Sequence, residues 1–417
     1  MIDIKFDKSI VELENGLKIV TIKKDTELFS INLGVKIGAY YENNLNRGIS
    51  HFIEHMMFKG TKNRDNETLN RELEFLGGEY NAYTNYNSTV FSICCLKEEA
   101  KEAVDLLSDM ILNPTFNKEE MEREKGVVIS EIRSSKDDVA EFSTNKVFYH
   151  AFEKSPLRYE VAGSEETVKN FTREEILEFY SKNYTPDNTI ITVVSPFEHD
   201  FVVNILKGEF QNWQGKSCID RTVIMEKNKA KVFTSTRKDI EQSNIIILYS
   251  FLEIDRNMEL PLKILNHQLG ESANSILFRE LREKRGLVYD VYTDLDLSHN
   301  AKNLYIYTAV DDSKIDETLD AIFNCINNIK NEKIVFDNNT VELMKKVHKT
   351  AVVSTFEDGS DLGSYILTQC LEGEDIYQFL KDMERLEKLN AEDIYKVARG
   401  VINDPTIYVL RGSGEDE

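Results

Sequence analysis

The segment GISHFIEHMMFKG carries two imidazoles and a carboxylate at a spacing that lets them act together: His51, Glu54 and His55. On a helix, residues at i and i+4 lie one above the other, so both histidines can present a ring nitrogen to one metal ion. A tetrahedral zinc takes such nitrogens at roughly 2.0–2.1 Å. Glu54 points the same way and can serve as general base toward a water at that metal. The blander reading is an amphipathic helix whose polar face holds two histidines by chance. With seven histidines in 417 residues, chance is the weaker account.

A catalytic zinc site takes three protein ligands and leaves the fourth position to water. The helix opened by Asn117 offers Glu124 and Glu131, seven residues apart and therefore within about 20° of one face. Met121, Val127, Val128 and Ile132 flank that face. Carboxylates on an apolar face are costly unless they meet a cation or several hydrogen bonds. A helix rotated to solvate both, as Glu119, Glu122 and Lys125 are expected to be, is the competing arrangement. Spacing alone leaves the two open.

The elements that must position these groups follow from periodicity. Over 49–58, Ile49, Phe52, Ile53, Met56 and Met57 form an apolar stripe that anchors the helix; His51, Glu54, His55 and Phe58 form the opposite one. Before it lie a hairpin (10–13 and 17–23 around Glu14-Asn15-Gly16) and a strand over 29–37. After it come a helix over 67–76 ended by Gly77-Gly78, a strand over 80–96, and a helix over 98–112 stopped by Asn113-Pro114. Asn117 then opens the next helix, with Glu120 as its expected capping-box partner.

The second half replays this order: strands over 243–250, 287–297 and 304–310, and helices over 260–269, 275–283 and 314–328. YNAYTNYNSTVFSICCLKEEAKEAVDLLSDMI and VYDVYTDLDL…NLYIYTAVDDSKIDETLDAIFNCI both run strand, acidic turn, amphipathic helix. The reading is an α+β fold of two duplicated units, each an antiparallel sheet with helices packed on one face. The boundaries read as 1–213 and 229–417, with the polar stretch 214–228 as linker.

Composition narrows the partners. A net charge of −22 opposes binding to nucleic acid or an anionic membrane and permits basic or neutral peptides. Five scattered cysteines without C-x-x-C spacing indicate neither a disulfide framework nor a thiolate zinc site. The opening MIDIKFDKSIVELENG has no apolar h-region, and no apolar run reaches the roughly 20 residues of a membrane span. The expectation is a cytoplasmic protein. Only the acidic tail 414–417 reads as unstructured.

Four stretches resemble the pitrilysin or insulinase class of inverted-motif (HxxEH) zinc peptidases, nearest the bacterial relatives of the mitochondrial processing peptidase: GISHFIEHMMFKGT, GGEYNAYTNYNSTVFS, EREKGVVISEI and LFRELREKRGLVYDVY. Their order spans nearly the whole chain. The resemblance implies a zinc endopeptidase with one Zn2+ per chain held by His51, His55 and Glu131, and with Glu54 as base. It implies Glu124 orienting a ligand histidine, and Asn81 and Ala82 gripping an extended substrate by strand addition. It implies that Arg282 and Tyr289 meet the scissile carbonyl from the far half of a clamshell. One chain holds two of the four units such a chamber needs. A homodimer with Arg282 and Tyr289 acting in trans on unfolded peptides or short proteins is therefore expected. The alternative is a non-catalytic scaffold or binding subunit; such members usually lack one of these residues, and none is missing here. SPLRYEVAGSEET departs from the family pattern in what reads as a chamber-wall loop, and His150 has no partner spacing that would make it a ligand.

Overall fold

The computed structural model describes residues 5–252 and 254–412; the acidic tail 414–417 lies outside them. Two sheets organise the chain. The first holds β1 (Asp7–Glu12), β2 (Lys18–Lys23), β3 (Leu28–Val35), β4 (Glu79–Thr84), β5 (Thr89–Leu96) and β6 (Thr189–Ser195), in the order β1-β2-β6-β3-β5-β4. The second holds β7 (Val232–Arg237), β8 (Ser243–Ser250), β9 (Val288–Ser298), β10 (Ala301–Val310) and β11 (Thr406–Gly412), in the order β7-β11-β8-β10-β9. Pairing is antiparallel except β2 with β6 and β7 with β11. This is the α+β duplication expected.

Corrections are local. The run 80–96 is a hairpin, not one strand. Asn85 Oδ1 accepts from the backbone N–H of Asn87 and Ser88, each at 2.8 Å, and turns the chain between β4 and β5. The helix expected over 260–269 begins earlier, at Arg256–Asn266, and runs into a π turn at His267–Glu271; residues Phe278–Lys284 are also π-wound. Asn117 does cap its helix, but Glu120 does not return the bond. Its carboxylate instead takes Asn66 Nδ2 at 2.8 Å.

The helices that matter to the site are α1 (Ile49–Met57), α2 (Asn66–Phe75), α3 (Ala100–Leu112), α4 (Lys118–Asp137) and α5 (Val139–Ala151). The duplication reaches individual bonds. In α4, Lys125 is buried rather than solvated as expected, because its Nζ reaches Glu122 at 2.8 Å and the Lys169 carbonyl at 3.3 Å. In the helix Asn338–Glu357, Lys345 reaches Glu342 at 3.0 Å and the Glu387 carbonyl at 3.1 Å. Both helices are 20 residues long. Aligning the two lysines sets Met344 opposite Glu124 and Ala351 opposite Glu131. The second half thus has neither carboxylate at these positions.

Strand residues alternate between two cores. Ile19, Phe91, Ile191 and Val193 pack under α1 and α3. Val20, Ile22, Ile190 and Val194 face the other way, onto Leu362, Ile366 and Leu367 of the helix Gly359–Glu372, which belongs to the second half. The exchange is reciprocal: Val147 and Ala151 of α5, with Phe152 beyond its end, pack on Ile246, Leu248, Tyr408 and Leu410 of the second sheet. Burial on both faces explains the unbroken apolar run in SNIIILYS. The segment 214–228 has no regular element and is tied down at several points. Glu226 accepts from the N–H groups of Glu153, Lys154 and Ser155 at 2.7–3.0 Å, and Arg221 donates to the Lys36 carbonyl at 3.2 Å.

Candidate metal centre

Helix α1 starts at a position that only glycine fills without strain. Gly48 has φ +91°, and a Cβ there would lie 2.4 Å from the Ala162 carbonyl oxygen. Having no side chain, Gly48 cannot cap the helix itself, so the buried Glu42 does. Its carboxylate accepts from the N–H groups of Gly48 and Ser50, both at 2.8 Å. Burial pushes the Glu42 carboxyl up, against those hydrogen bonds. Ile49, Phe52, Ile53, Met56 and Met57 are all fully buried, as the stripe requires. Glu54 is itself buried between α1 and β4, at 8% exposure.

Helix α4 brings the carboxylates in. Glu124 is buried at 4% and Val127 is 50% exposed, so the apolar face is narrower than the sequence suggests and Val127 is not part of it. Glu131 Oε1 lies 3.6 Å from His51 Nε2, and Glu131 Oε2 lies 3.4 Å from His55 Nε2. Four ligands about a zinc at roughly 2.0–2.1 Å stand about 3.3 Å apart along the tetrahedral edges. Each imidazole nitrogen stands about that far from a Glu131 oxygen, and one ligand atom from each of the three residues lies within 4.8 Å of the others, an arrangement that suits that ion. Among the described residues no other group of three His, Cys, Asp or Glu side chains comes together in this way.

Around this set the support is uneven. His55 Nδ1 meets Glu124 Oε1 at 2.8 Å, and the other Glu124 oxygen takes Lys59 Nζ at 2.8 Å. His51 Nδ1 is buried without a partner, so no hydrogen bond from behind fixes that ring as Glu124 fixes His55. Burial and the neighbouring His55 push His51 down to about 4. Burial acts on His55 in the same sense, but hydrogen bonds to Glu124 and Glu131 outweigh it and raise His55 to about 9. The two shifts run in opposite directions, favouring a proton on His55 over one on His51. Burial also raises Glu54, tempered by a hydrogen bond from Thr84. Against its own burial, Glu124 is held low by hydrogen bonds to His55 and Lys59.

A cavity of about 400 Å³ opens beside His51, Thr84 and Glu131. Glu141, Glu160, Asp294 and Asp296 line it, and none has an ion-pair partner among the described residues. The loop Leu157–Ala162 forms part of its wall, as SPLRYEVAGSEET suggested. Asn81 and Ala82 lie on β4, the edge of the first sheet. The Ala82 N–H is taken by Asn81 Oδ1 at 2.9 Å. Arg282 and Tyr289 come together, with the guanidinium 4.9 Å from the ring centroid, and Tyr289 is 73% exposed. Neither lines the cavity at the histidines. Lys59, Thr84 and Glu42 are the supporting residues that sequence reasoning missed. Thr84 had a signal, being two residues beyond Ala82 on the same strand face; Glu42 and Lys59 had none.

No helix among the described residues is long and apolar enough to cross a membrane. All five cysteines are free.

Known proteins resemble this chain in sequence and in fold. The family model for insulinase, peptidase family M16, matches residues 18–165, and that for the peptidase M16 inactive domain matches residues 170–346. An uncharacterized zinc protease of Bacillus subtilis is 30% identical over 327 residues, 77% of this chain and 78% of that protein. The beta subunit of the mitochondrial-processing peptidase of Dictyostelium discoideum is 34% identical over 210 residues, 49% of this chain and 44% of that subunit. A solved protease from Helicobacter pylori shares the fold with a TM-score of 0.88 at 20% identity, over 97% of this chain and 99% of that one. The first match takes in His51, His55 and Glu131, and the second runs from the end of the first half into the second: the chain belongs to peptidase family M16, the insulinase family.

Proposed function

We propose that this chain is a zinc-dependent endopeptidase, with one zinc held by His51, His55 and Glu131 and with Glu54 as general base. The observation that carries the reading is the convergence of His51, His55 and Glu131, with one ligand atom from each within 4.8 Å of the others, and the buried Glu54 beside them. A zinc ion there supplies Lewis acidity, polarising a carbonyl and acidifying water. Glu54 takes the proton of the attacking water and returns it to the leaving amine nitrogen. Glu124, backed by Lys59, fixes the ring of His55. The free edge of β4 accepts an extended substrate, whose backbone displaces Asn81 Oδ1 from the Ala82 N–H. The unpaired carboxylates of the cavity favour basic side chains near the scissile bond. Profiling a peptide library is the test. Internal cleavage abolished by chelator and restored by zinc is expected, and cleavage indifferent to chelator contradicts the reading.

The reading extends to a homodimer in which Arg282 and Tyr289 reach the partner's substrate and stabilise the developing oxyanion. Its support is the exposure of this stacked pair and its absence from the cavity of its own chain. Mixing two inactive variants, Glu54→Gln and Arg282→Ala, tests it. Random exchange makes half the dimers mixed, each with one complete site, so about a quarter of wild-type activity is expected. No recovery after demonstrated subunit exchange, or a fully active monomer in sedimentation, contradicts it.

A further inference from the structure

Thr84 ends β4, the edge strand that carries Asn81 and Ala82. Its hydroxyl donates to Glu54 Oε2 at 2.6 Å. A second acceptor, Thr89 Oγ1 on β5, lies 3.3 Å away, but a hydroxyl has one proton to give. Of the two contacts, the short one to the buried carboxylate is the stronger. Thr89 in turn commits its own proton to the Ile37 carbonyl at 3.0 Å. With Thr89 committed to Ile37, the Thr84 proton is left to Glu54. Among the described residues no other side chain donates to Glu54.

This bond joins two elements that the sequence treats separately. Glu54 belongs to α1, the helix of the histidines, whereas Thr84 belongs to the strand that would receive substrate. Tyr80, Ala82 and Thr84 alternate on one face of β4, with Glu79, Asn81 and Tyr83 on the other. Thr84, which holds the base, thus lies on the same strand whose free edge would receive the peptide. We infer that Thr84 is a positioning residue: its hydroxyl orients the Glu54 carboxylate so that Oε1 faces the water and the substrate carbonyl. The inference rests on the peptidase reading for its kinetic meaning, but the orientation of Glu54 can be measured without it.

Two substitutions separate hydroxyl from shape. Thr84→Val keeps the branched outline and loses the donor, and Thr84→Ser keeps the donor and loses a methyl group. For Thr84→Val, zinc content and chelator-competition affinity should stay within about twofold of wild type, because no ligand is touched. Its kcat should fall about 10- to 100-fold with KM within about threefold, the scale of one lost hydrogen bond to a charged group that must be aligned. Thr84→Ser should recover kcat to within a few-fold. In crystal structures, the Glu54 carboxylate should leave its present rotamer in Thr84→Val and keep it in Thr84→Ser. Unchanged kcat in Thr84→Val, equal impairment in both variants, or an unmoved Glu54 overturns the inference. If wild type has no zinc-dependent cleavage, the peptidase reading fails alone, and the two crystal structures still decide the role of Thr84.

Discussion

Two histidines one helical turn apart make opposite demands on a proton. Burial and its neighbour keep His51 neutral, whereas Glu124 and Glu131 hold a proton on His55 up to about 9. That proton must leave before the ring nitrogen can bind zinc. Apparent zinc affinity should therefore rise with pH up to about 9, by close to tenfold per unit below that value. Zinc uptake at pH 7 should release about one proton, readable by calorimetry in buffers of different ionisation enthalpy. The same shift sets a stability window. A group raised in the folded state stabilises fully below its unfolded pKa, about 6.5, and loses that contribution as pH climbs through about 9. The metal-free protein should melt at falling temperature across that window, and Glu124→Gln should flatten the slope. Replacing His51 by Ala should abolish zinc binding, checked by metal analysis of the folded protein.

Helix α1 holds its three functional side chains only if its first turn is fixed. Gly48 and Glu42 fix it, through a left-handed φ and two N–H bonds. Gly48→Ala should cost about 1–3 kcal/mol from backbone strain alone, more if the Ala162 loop cannot yield, and should weaken zinc binding with it. Thermal melting and zinc titration check both. The triplet His51, Glu54, His55 was legible because its partners lie within one turn; for Glu131 the seven-residue spacing from Glu124 gave only a shared face, and its place beside the histidines was implied by the family resemblance. Glu42, Lys59 and Thr84 were not legible, since their bonds depend on where a loop, a helix end and a strand end arrive in space. The hairpin within 80–96 was misread because both flanks of Asn85–Ser88 continue the strand pattern, and the turn rests on one carboxamide.

At the scale of the whole molecule, each sheet is closed by a helix from the other half, so the halves are parts of one packed body. That exchange left no trace in local periodicity. The helix Gly359–Glu372 shows an apolar face whichever sheet it covers, and only the doubly buried strands hint that a second layer exists. The consequence for stability is specific. Ile366→Ala removes a fully buried side chain from the shared core, and should cost about 2–5 kcal/mol. Although far along the chain from the histidines, it should lower one common unfolding transition, not split it in two; denaturant unfolding followed by probes in each half checks this.

The most direct test of the centre is Glu54→Gln, purified and loaded with zinc beside wild type. Both should hold one zinc per chain, because Glu54 is not a ligand. Peptide turnover should fall by at least about 100-fold in the variant, as loss of a general base implies. Turnover near that of wild type at full zinc occupancy would contradict the assignment of Glu54, and loss of the zinc itself would contradict the ligand set of His51, His55 and Glu131.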